Sequence, residues 1–478
     1  MKLPLHKTKI VCTIGPTSIS LPIIEELVNS GMNVARLNFS HGSFEEQKEK
    51  IDGIRQVAEQ LKRNIPILID LPGAKMRVGK LKIEPMMLKR GESIVLTTNH
   101  ESNQPGSIPI EYKQLSASVS KGRVIYLNDG FIQLAVEEVI GEDVYCKVII
   151  GGRLLSHKGL NLPGAKLFVD AITEHDLEIV KFGLSNGVSI FGLSFVEKPE
   201  DILKVRDFAS SLGKKVFLIA KIERREAIEN FEAILKVADG VMIARGDMGV
   251  EIPIEEVPTV QKSLIQKANA MGKPVITATQ LLESMTHNIR PTRAEVNDVA
   301  NAILDGTDAV MLSEETAIGE YPVETVRMMS KIIAFTEESR QNGRVSNDEG
   351  AQVRLTVARG HLTITDVISL NAVRSAEDLK ARYILSPTTS GSTARRISRF
   401  KPSCWILAFS SQPDICEYLS LSFGVYSFVH PHSHQVEVIL KDIQHFNLAK
   451  PGDIIVITER GISDKPGDTD TLEILTLE

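Results

Sequence analysis

Eight short apolar runs, each followed by an amphipathic stretch, recur through the first 335 residues of this chain. They lie at 9–15, 33–40, 65–71, 188–196, 216–223, 240–247, 274–280 and 309–315. Each is nearly continuous in Val, Ile, Leu and Ala, the pattern of a strand covered on both faces. The intervals read as helices. One opens at Ser43 with Glu46 three residues on, a capping box. Its apolar positions Ile51, Ile54, Val57, Ala58 and Leu61 then fall on one face. Another opens at Thr292 with Glu295, and Val296, Val299, Ala300 and Ile303 follow. Eight strand–helix repeats predict an α/β fold, a TIM (β/α)8 barrel with its chemistry at the C-terminal strand ends.

One interval breaks this rhythm. Between the third and fourth runs lie about a hundred residues with period-two alternation, as at 92–97 and 124–130. Asp129-Gly130 is a hairpin turn signal. A small all-β domain inserted on a barrel loop is expected, hinged near Pro72-Gly73 and Leu162-Pro163-Gly164. Placed there it would act as a lid over the strand ends. A polar stretch at 337–352 marks a second boundary, and strand-like runs at 381–386, 405–409, 425–429 and 453–458 follow. The expected domains are therefore 1–71 with 165–338 for the barrel, 72–164 for the lid, and 339–478 for a C-terminal α/β domain.

Composition excludes several classes. The 478 residues carry a formal charge of -6, which argues against a nucleic-acid partner. No run reaches the ~18 apolar residues of a membrane span. The N-terminal residues lack the apolar core of a signal peptide. Cys12, Cys146, Cys404 and Cys416 are widely spaced and form neither a CxxC pair nor a disulfide ladder. A reducing cytoplasm is the expected location.

The fifth run ends Lys221-Ile222-Glu223 and the sixth ends Arg245-Gly246-Asp247. Two neighbouring strands thus finish at one level with an ammonium, two carboxylates and glycine-exposed backbone. A cation beside paired carboxylates suits a hard metal and a phosphate in one pocket. The alternatives are a salt-bridge layer at the barrel rim and a lysine snorkelling to solvent.

At IAKIE…ARGDMGVE, the chain resembles the pyruvate kinases, and the likeness runs from Lys9 to the C-terminal strand. That family has the same three parts in the same order. The resemblance implies transfer of a phosphoryl group from phosphoenolpyruvate to ADP, giving pyruvate and ATP, in a homotetramer. It implies Glu223 and Asp247 as ligands of Mg²⁺, with Mn²⁺ a possible substitute, and Lys221 as the charge beside the moving phosphoryl group. Arg36 matches the substrate-phosphate arginine. Gly246 and the Asp247 backbone match the donors to the substrate carboxylate. Thr279, in Thr277-Ala278-Thr279-Gln280, matches the residue that closes the site and helps protonate the enolate. Asn38, Ser40 and Asp70, with the carbonyl of Leu71, match the family's K⁺ ligands. Asn38, His41, Arg77 and Lys158 match nucleotide contacts.

One segment departs from the pattern. Most members read DTKGPEIRTG where this chain reads Asp70-Leu71-Pro72-Gly73-Ala74-Lys75-Met76-Arg77-Val78-Gly79. Lys75 replaces a glutamate, and at Leu71, Lys75 and Val78 the chain resembles the K⁺-independent members, so a tethered ammonium is expected to stand in for K⁺, and K⁺ should not be required. In the C-terminal domain Thr388, Thr389, Ser390, Gly391, Ser392 and Thr393 precede Ala394-Arg395-Arg396. Hydroxyls and a glycine at a helix start make a phosphate cradle, matching the family's effector loop; the bland reading is a plain N-cap turn. The loop at 461–471 lacks the aromatic and basic groups of sugar-bisphosphate-regulated members. His430, His432 and His434 could face one side of a strand, but Pro431 argues for a loop, and no carboxylate or cysteine is expected close by. Two rivals stand beside the kinase reading. A metal-dependent barrel lyase would have no use for the lid, and a sugar-phosphate sensor would have no use for Lys221, Glu223 and Asp247.

Overall fold

The computed structural model describes residues 3–99, 106–128, 130–165, 167–342, 363–459 and 469–478. All eight apolar runs form parallel strands: Lys9–Thr13, Val34–Asn38, Ile67–Leu71, Ile190–Leu193, Phe217–Ile222, Gly240–Ala244, Val275–Ala278 and Ala309–Leu312. They close into a barrel in chain order, the first strand pairing with both the second and the eighth. Both predicted capping boxes are present, Ser43 with Glu46 and Thr292 with Glu295. Behind the first, Ile51, Ile54 and Val57 are fully buried against the barrel's outer face.

The barrel lumen is filled by Val11, Val34, Leu68, Ile190, Ile219 and Met242, among others, so it is a packed core. Its N-terminal end is stoppered from outside. Tyr418 and Leu421, from the C-terminal domain, belong to the same cluster. The two parts are also joined by a buried ion pair. Lys401 Nζ lies 2.8 Å from Asp308 Oδ1 at the foot of the eighth strand, both side chains 4% exposed. Within the barrel part, Glu337 accepts from Lys7 N at 2.9 Å, Thr8 N at 2.7 Å and Thr8 Oγ1 at 2.8 Å. Glu337 was expected to open a polar linker. It is instead buried inside the helix Pro322–Gln341, clamping the chain's first residues; residues 343–352 of that stretch lie outside the described residues.

Between the third and fourth barrel strands lies a six-stranded sheet among the described residues, ordered Leu160–Asn161, Val124–Leu127, Ile132–Ile140, Asp143–Ile150, Ser93–Thr97, Ser107–Pro109. It has its own core, including Ile94, Leu96, Ile125, Leu134 and Val144. The predicted turn at Asp129-Gly130 falls partly outside the described residues at Asp129. Gly130 has φ +90 and packs close to Val250 of the barrel. The C-terminal sheet contains the four expected parallel strands, Tyr383–Pro387, Trp405–Ser410, Val425–Val429 and Ile454–Glu459. A fifth, Thr471–Thr476, adds antiparallel to the last of these.

Candidate active site

Lys221 stands at the C-terminal end of the fifth strand, whose apolar neighbours Ala220 and Ile222 are fully buried. Its ammonium lies 2.9 Å from Glu223 Oε1, 3.1 Å from Asp70 Oδ1 and 2.6 Å from Ser194 Oγ. Burial opposes the charge, but Asp70 and Glu223 outweigh it and raise the Lys221 pKa above the ordinary lysine range. The residue is therefore an ammonium at any working pH. Asp70 is 1% exposed and carries the same logic in reverse. Burial disfavours its charge, while Lys221 and Arg36 together hold its pKa below the ordinary carboxylate value.

Arg36 sits in the middle of the second strand with its side chain pinned on two sides. Nε and Nη2 lie 2.8 and 2.6 Å from Asp70 Oδ2, and Nη1 donates to Thr13 Oγ1 at 2.8 Å. A guanidinium fixed in plane and 8% exposed is prepared to meet phosphate oxygens without searching for a rotamer.

Glu223 is 1% exposed. Oε2 accepts from Phe195 N at 2.8 Å. Among the described residues Oε1 has the Lys221 ammonium at 2.9 Å and makes no aligned hydrogen bond. Burial pushes its pKa up, Lys221 pulls it down, and the nearby Asp247 charge raises it again, for a net rise. A buried carboxylate oxygen without a hydrogen bond, near a second carboxylate in the helix that follows the neighbouring strand, is a donor set that fits a hard divalent cation. Mg²⁺ takes one or two carboxylates and fills its shell with waters and substrate oxygens. The residues present therefore fit the metal. Among the described residues no group of three or more His, Cys, Asp or Glu side chains could hold a metal ion, so any Mg²⁺ here leans on substrate and water.

The Thr279 loop is strained and held. Thr279 and Gln280 have φ 70 and φ 56, a conformation costly for a β-branched residue. Arg245 grips it, with Nη2 donating to Thr279 O at 2.7 Å and Nε to Ala278 O at 3.3 Å, while Nη1 pairs with Asp298 at 2.8 Å. Thr279 Oγ1 in turn accepts from Gly246 N at 2.9 Å. Gly246 N was expected to point at a substrate carboxylate. In the first turn of the helix Arg245–Glu251, it already donates to Thr279 Oγ1, so a carboxylate there would displace the Thr279 hydroxyl.

Lys75 places its ammonium 3.8 Å from Asp247 Oδ1. His41 has its pKa lowered by burial and then by the charges of Arg77, Lys75, Lys50 and Arg36. Arg77 Nη1 donates to His157 O at 2.9 Å. Lys158 enters this arrangement by its carbonyl, which accepts from Val78 N at 2.8 Å; no hydrogen bond or ion pair ties its side chain to the cluster among the described residues. The presumed K⁺ ligands have protein partners. Asn38 Oδ1 accepts from Ser40 N at 3.1 Å, Leu71 O accepts from Ser194 Oγ at 2.6 Å, and Asp70 is shared by Arg36 and Lys221.

Sequence reasoning missed Ser194, Phe195 and Thr13. Ser194 links Lys221 to the Leu71 carbonyl. Phe195, at φ 57, aims its N–H at Glu223. Both close the fourth apolar run, whose position at a strand end was the available signal. Gly73, at φ +62, fits there because a Cβ would lie 3.0 Å from Phe195 Cδ2 and 3.2 Å from Ser194 O.

The 388–393 loop is remote from this centre, at the end of the strand Tyr383–Pro387. Gly391 N donates to Thr388 Oγ1 at 2.9 Å and Ser392 N to Ser390 Oγ at 3.4 Å. Thr388 and Thr393 are buried, and Thr389 and Ser390 are exposed. Eight of the eleven residues at 461–471 lie outside the described residues. Among the described residues the three histidines belong to no group of three or more metal-ligating side chains. The carboxylate that was not expected close by arrives from the helix Val436–His445, where Asp442 Oδ2 sits 2.8 Å from His430 Nε2.

Comparison with known proteins agrees with this geometry. The family model for the pyruvate kinase barrel domain matches residues 5–326, and that for the pyruvate kinase alpha/beta domain matches 366–475. The chain is 49% identical to a pyruvate kinase of Thermococcus litoralis over 477 residues, all of both chains. It is 42% identical to one from Bacillus licheniformis, covering 98% of this chain and 80% of that one. A crystal structure of a pyruvate kinase from Cryptosporidium parvum superposes with a TM-score of 0.91 at 35% identity, covering 99% and 97% of the two chains. The lyase and sensor readings fall, and the chain belongs to the pyruvate kinase family, transferring a phosphoryl group from phosphoenolpyruvate to ADP.

Proposed function

We propose that this enzyme is a Mg²⁺-dependent, K⁺-independent pyruvate kinase of the cytoplasm, a homotetramer regulated by a phosphorylated metabolite at the 388–393 loop. The observation that carries the catalytic part is the Lys221 ammonium, its side chain 11% exposed, bracketed by Asp70 and Glu223 and beside the pinned Arg36. Phosphoryl transfer asks a protein mainly for placed charge. Arg36 binds and orients the phosphate of phosphoenolpyruvate. Lys221 offers fixed positive charge to the phosphoryl group as the ADP β-phosphate oxygen attacks. Gly246 and the Asp247 backbone hold the carboxylate, and Thr279 positions the group that protonates the enolate. Glu223 and Asp247 would hold Mg²⁺, which supplies charge to the phosphate oxygens when bound. His41, Arg77, Lys158 and Asn38 would face the nucleotide, with residues 72–164 as a lid over the barrel of 1–71 and 165–338, and 339–478 as the regulatory domain.

K⁺ independence is supported by the Lys75 ammonium beside Asp247 and by the protein partners of Asn38, Asp70 and Leu71. Among the described residues no helix is long and apolar enough to cross a membrane. The test is coupled pyruvate release with tetramethylammonium as the only monovalent cation. Turnover should change little on adding K⁺, and a many-fold rise would overturn the claim. In the same assay Lys221→Ala should be inactive while folded.

A further inference from the structure

Tyr418 lies 179 residues from its hydrogen-bond partner and on the far side of the barrel from the chemistry. It sits on the short helix Pro413–Leu419 of the C-terminal domain and is fully buried in the barrel's own lumen cluster. Its ring stacks on Phe217 with centroids 4.1 Å apart and planes 9° apart. Its hydroxyl donates to the carbonyl of Asp239. Phe217 is the first residue of the fifth barrel strand, and Asp239 immediately precedes the sixth.

Those are the two strands that matter. The fifth carries Lys221 and leads into Glu223, and the sixth leads into Gly246 and Asp247. The two feet are also tied to each other, since Asp239 Oδ2 accepts from Leu218 N at 3.0 Å and Asp239 N donates to Leu218 O at 2.9 Å. One ring therefore touches the bottoms of both strands whose tops hold the reacting charges. A strand of this length is a stiff rod of about 13 Å from Phe217 to Lys221, at ~3.3 Å per residue. Tyr418 is itself clasped from behind, with the Arg395 guanidinium 4.8 Å from its ring centre.

We propose that Tyr418, held by Arg395, is a positioning residue for phosphoryl transfer, fixing the height and tilt of the fifth and sixth strands relative to the rest of the barrel. It touches no reacting atom. It acts through Lys221, Glu223 and Asp247, and the proposal rests on their assignment above. Phosphoryl transfer depends on charge placed to within a fraction of an ångström, so loosening the feet should lower kcat more than it weakens substrate binding.

The experiment compares Tyr418→Leu, Tyr418→Phe and Arg395→Met with Lys401→Met in the full-length enzyme. Lys401→Met breaks a buried pair at the same domain junction, but at the foot of the eighth strand. Each variant is measured well below its melting temperature for kcat, for KM of phosphoenolpyruvate, and for Mn²⁺ binding without substrates. Tyr418→Leu should lower kcat by roughly tenfold with KM nearly unchanged, and weaken Mn²⁺ several-fold. Tyr418→Phe keeps the stack and should lose only about two- to threefold, as should Arg395→Met. Lys401→Met should lower the melting temperature and leave kcat and Mn²⁺ affinity near wild type. If Tyr418→Leu and Lys401→Met change kcat alike, Tyr418 only joins domains and the proposal is wrong. Should Tyr418→Leu not fold, unchanged kcat in both Tyr418→Phe and Arg395→Met is the refuting result. Lys221→Ala is run alongside. If it keeps turnover, the assignment of the site has failed, whereas an inactive Lys221→Ala with an unaffected Tyr418 series refutes this inference alone.

Discussion

Replacing Lys75 with methionine removes one ammonium and keeps most of the side chain's bulk. In the structure that ammonium stands 3.8 Å from Asp247 Oδ1, with the two side chains 29% and 28% exposed. At that distance two unit charges interact by about 1 kcal/mol in bulk water and about 4 kcal/mol at an effective dielectric of 20. The partial exposure of both groups screens the pair toward the lower figure. A loss of about 1–2 kcal/mol corresponds to roughly 5–30-fold in an equilibrium constant. Two effects of opposite sign follow. Without the ammonium, Asp247 is freer to take a divalent cation, so Mn²⁺ should bind the substrate-free enzyme more tightly by that factor. Turnover in tetramethylammonium buffer should fall, because positive charge near the phosphates has been removed, and added K⁺ should restore part of it. The assays are Mn²⁺ titration by electron paramagnetic resonance and pyruvate release with and without K⁺. Lys75→Met turnover equal to wild type in the K⁺-free buffer would refute the reasoning, whatever happens to Mn²⁺.

Three further outcomes are expected. Thr279→Ala frees Gly246 N and removes the hydroxyl thought to steer protonation, so exchange of pyruvate methyl hydrogens with solvent should drop more than substrate binding does. If both are unchanged, Thr279 serves only the loop. A screen of glucose 6-phosphate, ribose 5-phosphate and adenosine monophosphate should find a metabolite that raises apparent affinity for phosphoenolpyruvate by ~5–150-fold; Ser390→Asp should abolish that response, and a response intact in the variant removes the loop from regulation. Lys9 is 3% exposed, and burial lowers its pKa to about 7 despite the opposing charges of Glu337 and Asp308. Between pH 7 and the ordinary lysine value the unfolded chain binds the extra proton, so this group makes stability rise with pH across that window. Lys9→Met should flatten the rise in urea midpoint between pH 7 and pH 9.5, and an unchanged slope would count against the assignment.

The barrel was legible because its signal is covalent and local. Continuous apolar runs and capping boxes at Ser43 and Thr292 can be read without knowing what packs on them. The charges at strand ends were legible for a related reason, since a lysine or carboxylate closing a buried strand has one direction in which to emerge. What failed to show was whatever depends on distant partners. Glu337 reads as part of a polar linker until its four contacts with Lys7 and Thr8, some 330 residues away, are seen. Ser194 is an ordinary strand serine until it is found between Lys221 and Leu71. The Gly246 N–H looked free because nothing in Arg-Gly-Asp announces a threonine from the next strand. Asp442 escaped notice beside His430 for the same cause: a helix, not sequence neighbourhood, brings it there.

The seam of the barrel has a consequence for how the chain is made. The first strand, Lys9–Thr13, leaves one of its two edges for the eighth, Ala309–Leu312, and hands the residues before it to Glu337. During synthesis that edge exists for as long as the intervening three hundred residues take to emerge, roughly 15–60 s at ~5–20 residues per second. An unpaired apolar edge held open for that time invites pairing with another nascent chain. Ribosomes spaced along one message are thus close enough for neighbouring copies to find each other before either ring is shut. The ring closes only when its last strand arrives, so the first strand of the barrel is among the last to be secured.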